Sequence, residues 1–193
     1  EEILIVTGVE HMGDVVSLLG SGKDFGCRFT YKVQDQAGGI AQALALAENF
    51  ANGQPLTVIL GDNIFQANLQ TYVERFITQK TGARILLKQV EHPRRFGVAE
   101  LSGDRIVGIE EKPEHPKSNF AVTGIYFYDA SVFDIIRTLK PSARGEFEIS
   151  HVNDLYINKG QLAYDILEGW WTDAGTFESL TRANELVIDE PPQ

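Results

Sequence analysis

Pro55-Leu56-Thr57-Val58-Ile59-Leu60-Gly61-Asp62-Asn63 is an apolar run that stops abruptly on Gly-Asp-Asn. Its length, with helical patterns on both sides, predicts a buried parallel strand near a sheet centre. Ligands in open α/β sheets bind outside the carboxyl ends of such strands. Asp62 therefore stands where a metal or phosphate ligand would be held. Gly-Asp-Asn is also an ordinary turn sequence, and by itself the motif leaves both readings open.

The pattern around it alternates strand and helix. Strands are expected at Ile3–Val6, Arg28–Val33, Leu56–Leu60, Ala83–Gln89, Phe120–Tyr128 and Leu162–Leu167. Helices are expected at Asp14–Leu19, Ile40–Phe50, 69–77, Val132–Leu139, Ile149–Asn158 and Thr176–Val187, with Asn68 as a cap. Val98–Leu101 and Arg105–Glu110 flank Ser102-Gly103-Asp104 and predict a β-hairpin. These elements predict one α/β domain over residues 1–193. Its expected form is Rossmann-like and doubly wound, a mostly parallel sheet with helices on both faces and an inserted hairpin.

A chain of 193 residues, 43% hydrophobic and 23% charged, is long enough for such a core. Its net charge of -10 argues against a nucleic-acid or anionic-membrane surface. No apolar stretch has the length of a membrane span. The single cysteine, Cys27, excludes an internal disulfide, and the chain opens on strand rather than leader pattern, so a reducing cytoplasm is the expected compartment. Four scattered histidines lack metal-ligand spacing. Gly20-Ser21-Gly22-Lys23-Asp24 echoes a phosphate loop but lacks its upstream glycine and its Ser/Thr.

Several other residues carry candidate chemistry. Asp173, between the last strand and the last helix, could join Asp62 on one Mg²⁺, or serve as a turn or cap residue. Lys112, in Glu110-Glu111-Lys112-Pro113, suits a phosphate, and a glutamate there suits sugar hydroxyls; a charged strand exit is the plain alternative. Arg144 is either a phosphate clamp or a solvated loop residue. Gln34 at a strand end, with Gly38-Gly39 before a helix, allows an amide to read a base edge, or makes a simple strand–helix turn.

Taken in order, these pieces resemble the nucleotide-sugar pyrophosphorylase family, which has the nucleotide-diphospho-sugar transferase fold. The matching stretches are Gln34 to Ala43, Leu60-Gly61-Asp62-Asn63, Arg95-Phe96-Gly97-Val98 and Ile109 to Pro113. They continue with Ala121 to Tyr126, Lys140 to Glu146 and Trp171 to Thr176. The resemblance implies thymidylyl transfer from dTTP to glucose 1-phosphate, giving dTDP-glucose and pyrophosphate. It implies Mg²⁺ on Asp62 and Asp173, Lys112 on the sugar phosphate with help from Arg144, and Glu111, Gly97 and Val122 lining the sugar. Gln34 and Gly39 would hold thymine, Asn63 would lie close to nucleotide or sugar, and Trp171 would wall the site. Homo-oligomers and a bacterial pathway through dTDP-rhamnose or related deoxysugars are also implied. Transfer from UTP, CTP or GTP, and a nucleotide-sugar-binding regulator without catalysis, are the alternatives.

Two departures stand out. Phe96 replaces the tyrosine usual before the Gly-Val of the sugar loop. The family's first strand, with its Gly-rich, Arg-containing loop and later Lys, finds no match here. One or two strand–helix units of about 30 residues each are expected to be missing. The chain by itself is expected to be inactive, with unpaired strand edges that favour association.

Overall fold

A computed structural model describes residues 1–192. Strand β1 (Glu2–Gly8) leads into α1 (Met12–Leu19), β2 (Arg28–Gln34), α2 (Ile40–Ala45) and α3 (Glu48–Ala51). Next come β3 (Leu56–Ile59), β4 (Asn63–Phe65), α4 (Gln70–Gln79) and β5 (Ala83–Gln89). The hairpin β6 (Gly97–Ser102) and β7 (Arg105–Glu111) precedes β8 (Phe120–Tyr128) and α5 (Val132–Thr138). The chain closes with α6 (Ile149–Asn158), β9 (Leu162–Ile166), β10 (Trp171–Asp173) and α7 (Phe177–Asp189). Contacts divide it into two compact units, Glu1–Gln54 with Val132–Val152, and Pro55–Ser131 with Asn153–Gln193. Among the described residues no helix is long and apolar enough to cross a membrane.

In the first unit β1 and β2 pair in parallel, from Glu2 opposite Arg28 to Gly8 opposite Gln34. The single helix expected over Ile40–Phe50 is two, α2 and α3. Leu46 and Ala47 donate to Ala43 and Leu44, three residues back, and this tightened turn interrupts the α-helical ladder. Helix α2 packs on α5, and Arg137 of α5 pairs with Glu48 of α3.

The second unit holds a six-stranded sheet. Its order is β7-β6-β8-β5-β9, with β3 also on β8. The α/β layering is as expected; the strand directions are not mostly parallel. Only β5–β9 is parallel in this sheet, whereas β8 runs antiparallel to β3, β5 and β6. Strand β3, expected as a central parallel strand, pairs antiparallel with β8 alone among the described residues, and Ile59 is 47% exposed. An apolar run shows that a strand has partners but not which way they run, so direction was beyond that motif.

Strand β5 is apolar on both faces and fully buried at Ile85, Leu86 and Leu87. A bulge between Ile85 and Leu87 interrupts its pairing with β8, and the buried Thr123 hydroxyl donates to the Leu86 carbonyl there (2.9 Å). Tyr72 and Phe76 of α4 pack into a core with Leu86, Ile125, Phe127, Leu167 and Trp171. Phe76 meets Phe127 with ring centroids 5.8 Å apart. Asn68 bonds the α4 start from outside the helix, its side-chain Oδ1 accepting from Gln70 N–H at 2.8 Å. The short strands β4 and β10, to which the sequence pattern assigns no element, form an antiparallel pair of their own.

Candidate functional site

In the second unit Asp62 lies in a turn closed by Asn63 N–H on the Leu60 carbonyl (3.0 Å). The turn feeds directly into β4, whose partner β10 places Asp173 opposite Asn63, Thr172 opposite Ile64 and Trp171 opposite Phe65. Ala174 N–H then bonds the Asp62 carbonyl (2.7 Å). The ladder thus brings the two aspartates together from distant parts of the chain. A Cβ built on Gly175 would lie 3.4 Å from Asp62 Oδ2 and 3.6 Å from Asp173 Oδ2. Both carboxylates therefore face one small cradle that a glycine leaves open. Asp173 does not cap the last helix. Thr176 does, in a capping box with Ser179 (3.1 Å).

Asn63 ties the cradle to its surroundings. Its Oδ1 accepts from Gly124 N–H (2.9 Å) and from Trp171 Nε1 (2.7 Å), while its Nδ2 donates to Asp62 Oδ1 (2.8 Å). A Cβ on Gly124 would come within 2.5 Å of the Asn63 amide, so β8 needs a glycine there. Lys88, half-buried on β5, donates to the carbonyls of Leu167 and Gly169 and fixes the segment leading into β10. Burial pulls its ammonium below the usual lysine range.

The hairpin supplies a second group next to β8. Gly97 is opposite Glu111, and a Cβ on Gly97 would sit 3.2 Å from Glu111 Oε2 and 3.8 Å from the Val122 Cβ. Gly97, Glu111 and Val122 are therefore neighbours. Lys112 follows with φ 46°, a left-handed conformation that costs a non-glycine residue about 1–3 kcal/mol. Its backbone N–H is held by the Phe96 carbonyl (3.0 Å), and its ammonium has no carboxylate partner among the described residues. Phe96 packs edge-on against Trp171 at 5.2 Å. Arg95 lies over the Phe96 ring and 3.6 Å from Asp173 Oδ2.

Tyr126 of β8 is fully enclosed. Desolvation above all, and then the charges of Glu111 and Asp62, hold its phenol protonated far above the usual tyrosine range. Sequence reasoning passed over Tyr126, Lys88 and Arg95. In sequence Tyr126 and Lys88 are indistinguishable from ordinary strand residues. Arg95 was visible only as part of a motif.

The first unit carries the other candidates. Gln34 Nε2 donates to the Gly39 carbonyl (3.2 Å) and to Gln42 Oε1 (2.7 Å). With both amide hydrogens engaged, the Gln34 side chain offers its carbonyl oxygen to a ligand. Gly39 has φ 95°, and a Cβ there would come 2.5 Å from the Phe147 carbonyl, so only glycine fits. Arg144 bonds Glu148 through Nε (3.1 Å) and Nη2 (3.0 Å), and pairs with Glu146. Burial alone would push the Glu148 carboxyl up; hydrogen bonds from Ser142 and Arg144 outweigh it and hold the carboxyl below the usual range.

In the second unit, then, two carboxylates converge on a glycine cradle, and the hairpin sets Glu111 against Gly97 and Val122. The chain belongs to the nucleotidyl transferase family, which it matches over residues 1–190. Among its relatives, the glucose-1-phosphate thymidylyltransferase of Neisseria meningitidis serogroup A is 44% identical over 191 residues, and that of Mycolicibacterium smegmatis 42% over 190. Each alignment takes in 96% of this chain and 66% of the relative, so the chain spans just under two thirds of the length of these proteins. A crystallised Bacillus anthracis protein in complex with sucrose, described as a glucose-1-phosphate thymidylyltransferase, is 59% identical; the TM-score is 0.92 over 97% of this chain and 76% of the other. A UDP-glucose pyrophosphorylase bound to UDP-glucose, at 22% identity and TM-score 0.82 over 98% of this chain and 81% of the other, shares the fold.

Proposed function

We propose that residues 1–193 are the metal- and sugar-holding part of a nucleotidyltransferase for Mg²⁺-dependent thymidylyl transfer from dTTP to glucose 1-phosphate, yielding dTDP-glucose and pyrophosphate, and that this chain by itself binds without turning over. The observation that carries this reading is the shared cradle of Asp62 and Asp173 at Gly175. Mg²⁺ prefers a few carboxylates completed by water and phosphate oxygens. Two carboxylates with open space between them fit that demand, and no third ligating side chain joins them among the described residues. When bound, Mg²⁺ supplies positive charge to the phosphate oxygens at the reacting centre.

The chain's own residues do the rest. Glucose 1-phosphate attacks through a phosphate oxygen, and a phosphate monoester has its second pKa near about 6, so the nucleophile needs no strong base. The work is positioning and charge balance. In the second unit Lys112, held rigid by its backbone, takes the sugar phosphate. Glu111 accepts from sugar hydroxyls, with Gly97 and Val122 beneath the ring and Trp171 as a wall. Asn63 orients Asp62 and stands beside nucleotide or sugar. In the first unit the Gln34 carbonyl accepts from the N3–H of thymine, Gly39 lets the base approach its backbone, and Arg144 assists a phosphate. The product would feed dTDP-rhamnose or related deoxysugars in a bacterial cytoplasm, made by a homo-oligomer.

Calorimetry tests this directly. The chain should bind dTDP-glucose more tightly with Mg²⁺ than without it, and more tightly than UDP-, CDP- or GDP-glucose. Asp62→Asn should lower Mg²⁺ affinity by at least about tenfold, since hydrogen bonds and contacts to a charged group are worth about 1.5–3 kcal/mol. Unchanged metal affinity in that variant would remove the metal pair. A preference for another base would move the substrate to that nucleotide.

A further inference from the structure

Arg95 has an unusual setting for a half-exposed arginine. Its guanidinium rests over the Phe96 ring, 5.7 Å from the centroid, and that ring abuts Trp171. This aromatic platform holds it 3.6 Å from Asp173 Oδ2. That separation is an ion pair but too long for a hydrogen bond, and among the described residues no other side-chain acceptor takes a proton from Arg95. A cation thus lies against one of the two cradle carboxylates with its fork of donors unspent. Asp173 is the more enclosed partner, its side chain 24% exposed against 51% for Arg95.

We infer that Arg95 is the resident counter-ion of Asp173, displaced by a divalent cation and thereby freed to bind a phosphate oxygen of the substrate. The inference rests on the metal reading of the cradle and adds to it a positioning residue that couples metal to phosphate. Two cations cannot share one carboxylate without mutual repulsion, so metal arrival at Asp173 costs the Arg95 pair. Arginine remains charged throughout and favours bidentate contact with phosphate, so the released guanidinium has an obvious acceptor. It pivots on Phe96 instead of moving through water. Linkage then requires reciprocity: phosphate binding that draws Arg95 away tightens the metal, and metal binding tightens phosphate by the same factor.

The test measures binding, with Mn²⁺ and glucose 1-phosphate as probes, on the 193-residue chain and its Arg95→Gln and Arg95→Lys variants. Mn²⁺ is followed by the resonance of the free ion and glucose 1-phosphate by calorimetry. Arg95→Gln should bind Mn²⁺ alone about two- to fivefold more tightly, the range expected on losing one exposed ion pair. It should bind glucose 1-phosphate in the presence of Mn²⁺ roughly tenfold more weakly, as befits a lost charged hydrogen bond. The mutual tightening of the two ligands should shrink. Arg95→Lys should keep the Mn²⁺ affinity of the parent while recovering only part of the phosphate affinity. A tightened metal site is not what a merely destabilised fold would give. If Arg95→Gln leaves both affinities unchanged, or weakens Mn²⁺, the inference is overturned. When that happens while Asp62→Asn still loses Mn²⁺, the metal reading survives; if the parent chain binds no Mn²⁺, both fall.

Discussion

Gly175 and Gly124 show how much one missing carbon can mean. At Gly175 a methyl would find ordinary contact distances, 3.4 and 3.6 Å, to the two cradle oxygens. At Gly124 the same methyl would press within 2.5 Å of Asn63 Nδ2 and 2.7 Å of its Cγ, breaking a side chain that holds three partners. The two alanine substitutions should therefore separate binding from stability. Gly175→Ala should change stability by no more than about 0.5 kcal/mol. It fills the space a cation needs, and Mn²⁺ affinity should fall at least about tenfold. Gly124→Ala should cost about 1–3 kcal/mol, because it strands the Asn63 hydrogen bonds or forces β8 to shift. Denaturant titration and Mn²⁺ binding, run on both, would refute this if Gly175→Ala lost stability and kept its metal.

Among the elements, the β4–β10 pair matters most. Each strand is three residues long, too short for any periodic signal, and Asn63 and Trp171 lie 108 residues apart. The sequence motifs therefore revealed both aspartates but not the ladder that joins them. The hairpin of β6 and β7 was legible because its turn lies between its strands. The direction of β3 was not, because an apolar run carries no sense of direction. Three residues separate β10 from helix α7, the last of them Thr176, its cap. Thr176→Ala should cost about 1 kcal/mol of stability. The cradle is fastened separately, by Ala174 N–H on the Asp62 carbonyl, so Mn²⁺ affinity should stay within twofold of the parent. A parallel loss of metal would mean that the cap also positions Asp173.

Across the whole molecule, charge is what composition revealed most directly. The chain's net charge of -10 works against the anion binding proposed for its site, and in the second unit Lys112 and Arg95 oppose that charge. Such a field draws divalent cations from a distance and repels sugar phosphates. Its reach depends on salt, since the screening length shrinks from about 30 Å at 0.01 M to about 10 Å at 0.1 M. Mn²⁺ affinity should therefore fall several-fold between 10 and roughly 100 mM monovalent salt. Glucose 1-phosphate measured without metal should lose less over the same range, because screening relieves its long-range repulsion while weakening its contact with Lys112. Arg95→Gln removes one nearby charge and leaves the distant ones in place, so it should shift the Mn²⁺ curve without flattening it. A Mn²⁺ affinity independent of salt would show that the two carboxylates act alone and that the acidity of the chain serves something other than the metal.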